Sequence, residues 1–134
     1  MRLRHRTTIG LTIAAAILWP AAGAVTNAAA TSTNAQLRSI FGVTPAQAWD
    51  MEGMTMLPGI DDLRKKTEVT SEADASAMLT FAKAPATGAS MNFLSIWAIQ
   101  RDNGGCPGAV DNNTCSGITQ NTWDFSHILE PFTG

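Results

Sequence analysis

The apolar residues that begin at Met91 end at the charged pair Arg101-Asp102, where a glycine-rich loop opens. This pattern is typical of a strand with both faces buried, because polar residues then appear only where the chain leaves the core. We therefore predict a buried parallel strand in residues 91–102. Trp97 lies near its C-terminal end, where parallel α/β folds gather their ligands. The indole would then form a platform for a flat ligand such as a sugar ring. The alternative is that Trp97 fills the core, and the sequence pattern alone favours this alternative.

Residues 31–51 carry helical signals, and the first of two predicted helices ends at Gly42. Leu37, Ile40 and Phe41 are spaced i, i+3 and i+4, and Gly42 ends the run. The candidates for its N-terminal cap are Ser32, Thr33 and Asn34.

A second short helix is predicted immediately afterwards. Thr44 and Gln47 form a capping box around Pro45, which suits the first helical position. Its apolar side would consist of Ala48, Trp49 and Met51, and we interpret Trp49 as a packing residue.

A second strand is predicted in residues 53–60. Pro58 ends it early, because proline cannot donate a hydrogen bond to a sheet ladder. Asp61 and Asp62 follow it, and paired carboxylates can perform general acid and base chemistry. The alternative, which the surrounding turn residues favour, is that they solvate a turn.

The clearest helical signals lie between the two strands, in residues 70–83. Thr70 or Ser71 caps this helix, and its first turn is acidic. Strand, helix and strand with short connections form a βαβ unit, which would bring Asp61 and Trp97 to the same rim. The predicted apolar face of the helix consists of Ala77, Met78, Phe81 and Ala82.

A long loop, residues 103–121, holds both cysteines of the chain, Cys106 and Cys115. An oxidising compartment would let them pair, and the bridge would order the loop. A metal site is the less favoured alternative, because His5 and His127 complete no ligand cluster with them. We expect no metal and no cofactor.

A short helix is predicted near the C-terminus, in residues 126–130, ahead of Pro131. The apolar residues expected to dock this tail are Trp123, Phe125, Ile128, Leu129 and Phe132.

The N-terminus resembles a secretory signal peptide. Three arginines, at positions 2, 4 and 6, precede an apolar segment, residues 9–19, and small residues follow Pro20. The apolar segment is shorter than the ~20 residues of a transmembrane helix, and an uncleaved anchor is the alternative. We predict a leader in residues 1–24, an exported domain in residues 25–134, and a secreted protein.

The charge argues against nucleic acid as a partner. Nine basic and 11 acidic residues give a formal net charge of −2. Without the three leader arginines, six basic residues face the same 11 acidic ones, which gives −5. The basic run that remains, residues 64–66, is short and typical of a solvated turn.

Three segments, LSIWAIQRD (94–102), NGGCPG (103–108) and WDFSHILEPF (123–132), together resemble the C-terminal end of bacterial family 18 glycoside hydrolases, the chitinases. The similarity extends over residues 27–134. It implies an α/β fold, the C-terminal fragment of a (β/α)8 TIM barrel with its last two strands and flanking helices. In that family a tryptophan at the end of the eighth strand floors the subsite beside the scissile bond, and Trp97 matches it. Asp61 matches part of another substrate-contacting segment.

The family's catalytic signature, Asp-x-x-Asp-x-Asp-x-Glu, does not occur in these 134 residues. Its glutamate protonates the glycosidic oxygen while the substrate's N-acetyl group attacks. The resemblance therefore implies a chitinase-type hydrolase of β-1,4-N-acetylglucosamine linkages, present as a C-terminal fragment without its catalytic acid. Its partners would be chitin or N-acetylglucosamine oligosaccharides, with a separate chain supplying the rest of the barrel. The alternative is a small secreted carbohydrate-binding (lectin-like) module whose site is formed by Trp97 and the cysteine-closed loop.

Overall fold

The computed structural model describes residues 22–61, 68–83, 90–110 and 112–133. Residues 1–21 of the predicted leader, Asp62, the basic run and the connection at 84–89 lie outside these ranges. The helices are α1 (Ala22–Phe41), α2 (Pro45–Asp50), α3 (Glu72–Lys83) and α4 (Asp124–Leu129). The strands are β1 (Gly53–Met56), β2 (Gly59–Ile60), β3 (Val69–Thr70) and β4 (Phe93–Ile96). Short 3-10 turns cover Ile99–Arg101 and Glu130–Phe132.

Two small sheets lie within the described residues. β1 and β4 are parallel, with Gly53 opposite Phe93 and Met56 opposite Ile96, and α3 lies between them in sequence. The predicted pair of parallel strands with a helix between them is thus confirmed. The single strand predicted in residues 53–60 is divided at Pro58, and its second part, β2, pairs antiparallel with β3.

Helix α1 begins at least nine residues earlier than predicted, because its proposed caps lie inside it. Thr33 donates its hydroxyl to the carbonyl oxygen of Ala29 over 3.1 Å, a bond that lets threonine remain within a helix. The alanine-rich sequence before it has high helix propensity. Gly42 ends the helix as predicted, with φ at 66°. Ile40 and Phe41, expected on an apolar face, are exposed.

Helices α2 and α3 begin where predicted, each at a local cap. The Thr44 side chain accepts from the N–H of Gln47, and the Gln47 side chain accepts from the N–H of Thr44. Ser71 and Asp74 form the same reciprocal arrangement at α3, over 2.9 and 3.1 Å.

The hydrophobic core lies between α1, α3, α4 and one face of the parallel sheet. Trp49 is 3% exposed and its ring meets Phe81 edge-on at 5.7 Å, which confirms its packing role. Met51 and Ala77 were wrongly expected on apolar faces and are exposed. In α3 the buried row is Ala75, Met78 and Ala82, with spacing i, i+3 and i+7.

The C-terminal tail docks on this core largely as predicted. Phe125 is fully buried, and Ile128, Leu129 and Phe132 pack against the core, whereas Trp123 is 43% exposed.

Within the described residues, no helix is both long and apolar enough to cross a membrane.

The parallel sheet has one covered face and one exposed face. Met54 and Met56 are buried, and Leu94 and Ile96 pack against the same core. Side chains alternate between the faces of a strand, so Thr55 and Phe93 lie on the opposite face, where both are exposed. The prediction that β4 is buried on both faces is therefore wrong, because the described residues cover only one.

Candidate functional site

Trp97 immediately follows β4, at the carboxyl end of the parallel sheet. Its main-chain N–H donates to the carbonyl oxygen of Met56 over 2.7 Å, so its position is tied to the end of β1. The side chain is 65% exposed, which excludes the core-filling interpretation. The peptide bond between Trp97 and Ala98 is cis.

The exposed sheet face continues from Trp97 toward the start of the strands. The Ser95 and Thr55 hydroxyls, opposite each other in the register, are hydrogen-bonded over 2.8 Å. Phe93 lies next, and its ring is so close to Gly53 that an added Cβ there would be 2.4 Å from it. This face offers two aromatic rings and a pair of hydroxyls, groups that contact the apolar and polar sides of a sugar.

Arg101 holds the chain beneath the end of β4. The sequence predicts Arg101 at the point where the strand leaves the core and reaches solvent. Its side chain is instead buried, with 1% exposure. Its guanidinium donates to the carbonyl oxygens of Pro58, Ile60 and Asn112, which joins the segment around β2 to the cysteine loop. An arginine fork can hold several acceptors at once, but the sequence identifies none of these distant partners.

Asp102 joins the segment after β4 to the C-terminal helix α4. Fully buried, its carboxylate accepts from the N–H groups of Phe125 and Ser126 at 3.0 and 2.7 Å, and from the Gln120 amide at 2.8 Å. It thereby satisfies N–H groups in the first turn of α4. Arg101 and Asp102 are thus buried structural residues, which join the segment that carries Trp97 to β2 and to α4.

The loop after β4 is ordered by the predicted disulfide. Cys106 and Cys115 are bonded, with their Cα atoms 6.0 Å apart, which rules out the alternative that they hold a metal. Asn103 ties the two sides of the loop, since its amide donates to Thr114 over 2.8 Å and its carbonyl oxygen accepts from Ser116 over 3.0 Å. Across the part of the chain that is described, no three potential metal ligands cluster.

Asp61 follows a strand of the antiparallel sheet, whereas Trp97 follows a strand of the parallel sheet, so the prediction that they share one rim is not met. Asp61 follows β2, and its N–H donates to the carbonyl oxygen of Glu68 over 2.9 Å, at the antiparallel pair. The residues that meet at the carboxyl end of the parallel sheet are Met56 and Trp97. A substrate contact by Asp61 stays a prediction, and its neighbour Asp62 lies outside the described residues.

Glu52 is a buried carboxyl group that the sequence interpretation missed. It is 6% exposed; burial raises its pKa, an effect opposed by a hydrogen bond from Asn34. Within the described residues its Oε1 has no hydrogen-bond partner. Glu52 precedes β1, so the four residues of β1, at ~3.3 Å each, separate it from the end that carries Trp97. That separation of more than ~13 Å prevents it from protonating a ligand stacked on Trp97.

Neither a protein family model nor a curated protein sequence matches the chain. Its fold is similar to solved structures of Pyrococcus furiosus chitinase, namely the catalytic domain of the hyperthermophilic enzyme and two sets of catalytic-site mutants of active domain 2, one of them complexed with chito-oligosaccharides. Each comparison has a TM-score of 0.71 at 24% identity and covers 86% of this chain. The chain spans 36% of the length of those chains. The mixed α/β arrangement with parallel strands is thus like that of a chitinase catalytic domain.

Proposed function

We propose that this chain forms part of the sugar-binding surface of a chitinase-type glycoside hydrolase that acts on β-1,4-N-acetylglucosamine linkages. The observation that supports it best is the exposed indole of Trp97 at the carboxyl end of a parallel strand, on a scaffold similar to a chitinase catalytic domain. Ligands of parallel α/β folds gather at this end of the strands.

The chemistry of the surface suits N-acetylglucosamine. One face of the pyranose ring carries mainly C–H groups, which would stack on the indole of Trp97. Hydroxyl and acetamide groups at the ring's edge would then be available to Ser95 and Thr55, whose hydroxyls can each donate and accept. Asp61 is a further proposed contact.

Hydrolysis requires a carboxylic acid within hydrogen-bond reach of the glycosidic oxygen. The family 18 signature is absent from the sequence, and Glu52 lies at the other end of β1. We therefore place the acid outside these 134 residues, and interpret β1 and β4 as the last two strands of a (β/α)8 barrel whose other strands lie outside this sequence or in a separate chain. The chain alone would bind sugar without cleaving it.

Secretion fits this assignment, because polymeric chitin is an extracellular substrate. The Cys106–Cys115 disulfide supports an oxidising compartment. The proposed leader lies almost entirely outside the described residues.

The second candidate is a small secreted carbohydrate-binding module without any hydrolytic partner. It is favoured by the loop after β4, which a disulfide and the hydrogen bonds of Asn103 order within this chain alone. In that case Trp97 and the loop would form a complete site.

Binding of chito-oligosaccharides, measured by calorimetry, tests the shared part of both candidates. We expect Trp97→Ala to weaken binding about tenfold or more, because stacking on an aromatic ring is lost. Trp123→Ala is the matched control, since it removes another exposed indole, 43% exposed, outside the sheet face. Equal affinities for wild type and Trp97→Ala would refute the site.

Insoluble chitin separates the two candidates. Strong retention of the chain alone, lost in Trp97→Ala, would favour the module. Weak retention, with chitin cleavage appearing only when a polypeptide carrying the Asp-x-x-Asp-x-Asp-x-Glu signature is added, would favour the hydrolase.

A further inference from the structure

A tight turn leads the chain away from Trp97 at the carboxyl end of β4. It is the 3-10 turn Ile99–Arg101, and the side-chain amide of Asn103 fixes it by donating to the carbonyl oxygen of Gln100 over 2.8 Å. The spacing of ~3.8 Å between consecutive Cα atoms keeps Gln100 within ~11 Å of Trp97. The side chains of the turn are therefore held close to the exposed indole.

Two side chains of this turn point outward. A 3-10 helix has three residues per turn, so successive side chains leave it about 120° apart. Arg101 takes the inward direction, since it is buried, and the outward directions are left to Ile99 and Gln100. Ile99 is 54% exposed, and Gln100 is exposed as well. Among the described residues, the side-chain amide of Gln100 has no hydrogen-bond partner.

The two neighbouring side-chain amides already serve the fold. That of Asn103 ties the cysteine loop, where it donates to Thr114 as well as to the turn. The amide of Gln120 donates to the carboxylate of Asp102. Gln100 differs from both, because it can bind a ligand without breaking a hydrogen bond of the described structure.

We propose that Gln100 and Ile99 recognise an acetamide group of a chitin chain bound across Trp97, and so make the site selective for acetylated sugar. A carboxamide side chain donates through its NH2 group and accepts through its oxygen, so it can pair with both the C=O and the N–H of an acetamide. Ile99 would cover the acetyl methyl group. The inference rests on the proposed function and adds the feature of the substrate that this surface distinguishes.

The other groups of the site do not provide this selectivity. The indole of Trp97 would stack on glucosamine and on N-acetylglucosamine alike, because their rings present similar C–H faces. Ser95, which precedes Trp97, offers a hydroxyl, and a hydroxyl can bond to ring hydroxyls as well as to an acetamide. An acetamide combines a methyl group with an amide, and Ile99 and Gln100 present the same combination side by side.

Calorimetric titration with two trimers tests the assignment, one of N-acetylglucosamine and one of glucosamine, in mildly acidic buffer that keeps the glucosamine amines protonated. We expect the wild type to bind the acetylated trimer more tightly. Gln100→Leu keeps the approximate size of the side chain and removes the amide. It should weaken binding of the acetylated trimer about three- to tenfold and leave the glucosamine trimer unchanged. Ile99→Thr should weaken the acetylated trimer about two- to fourfold.

Gln100→Glu should have opposite effects on the two sugars. A carboxylate cannot donate to the acetamide C=O, so the acetylated trimer should bind more weakly, whereas the ammonium groups of the glucosamine trimer should be attracted. We expect the glucosamine trimer to bind about two- to fivefold more tightly at low salt and as in the wild type at high salt. Gln36→Glu, exposed on α1, adds the same charge elsewhere and should leave the ratio of the two affinities unchanged.

The substitutions at Gln100 should not disturb the fold, because the turn uses the carbonyl oxygen of this residue and not its side chain. Trp97→Ala separates this inference from the proposed function. If neither trimer binds in a manner that depends on Trp97, the sugar site is refuted and the acetamide assignment with it. If binding depends on Trp97 while Gln100→Leu and Gln100→Glu keep the wild-type ratio of the two affinities, the acetamide assignment alone is overturned.

Discussion

The buried carboxylate of Asp102 accepts two hydrogen bonds from Ser126, one from the main-chain N–H over 2.7 Å and one from the hydroxyl over 2.6 Å. The two residues are 24 positions apart, so this contact fastens the C-terminal helix to the end of β4. It also explains why a charged residue follows the strand without reaching solvent. This contact therefore fixes the segment after β4, which follows Trp97 in the sequence, to the C-terminal helix.

Replacing Asp102 should therefore destabilise the fold strongly. Asp102→Ala leaves the N–H groups of Phe125 and Ser126 buried without an acceptor, and we expect a loss of about 3–5 kcal/mol in the free energy of unfolding. Urea denaturation measures it. The exposed Asp50 is the control, because Asp50→Ala should stay within ~0.5 kcal/mol of the wild type. A loss below ~1 kcal/mol for Asp102→Ala would contradict the role assigned to it.

Gly59 and Gly42 form a matched pair that separates backbone strain from steric contact. Both have positive φ, 77° and 66°. A Cβ at Gly59 would lie 2.0 Å from the carbonyl oxygen of Ser116, whereas a Cβ at Gly42 meets nothing within 4 Å. We expect Gly42→Ala to cost about 1–2 kcal/mol from conformation alone, and Gly59→Ala to cost clearly more. Equal losses in thermal or urea unfolding would show that the contact with Ser116 relaxes freely.

The sequence predicts those parts of the fold that short-range interactions determine. Thr44 and Gln47 cap α2 through groups three residues apart, and Ser71 and Asp74 do the same for α3. The apolar segments around Met54 and Leu94 correctly indicate two strands of one parallel sheet. In each case the residues that decide the structure are close in sequence or repeat with a regular period.

The remaining features depend on contacts that the sequence pattern does not contain. Threonine is favoured at helix caps, but Thr33 lies inside α1, where its hydroxyl donates to the carbonyl oxygen of Ala29, so the sequence does not reveal the early start of the helix. The exposure of Phe93 and Trp97 depends on which elements cover the sheet, and an apolar strand has the same sequence pattern in either case. Asp102 and Glu52 are buried by segments that are distant in sequence, and a charged residue is ordinarily expected at the surface.

Reducing the Cys106–Cys115 disulfide should loosen the loop and spare the helical core. Closure of so short a loop contributes about 2–3 kcal/mol, mainly by restricting the unfolded chain. Hydrogen exchange should accelerate in residues 103–116, while α3, which packs against α1 and α4, keeps its protection. The double variant Cys106→Ser/Cys115→Ser should behave like the reduced protein and controls for the reductant. Two alkylated cysteines in exported, unreduced protein would contradict the bridge.

Glu52 should make stability depend on pH in a recognisable direction. Burial raises its pKa above the ordinary value of 4.5, so between that value and its folded-state pKa the folded protein binds more protons than the unfolded chain. This contribution to stability is therefore complete below pH 4.5 and is lost as pH rises through the folded-state pKa. Glu52→Gln stays neutral, and its stability relative to the wild type should increase as pH rises from 4 toward 8. Urea midpoints across this range measure the difference, with Glu130→Gln as an exposed control of equal charge change. A difference between wild type and Glu52→Gln that stays constant or shrinks with rising pH would show that Glu52 ionises without penalty.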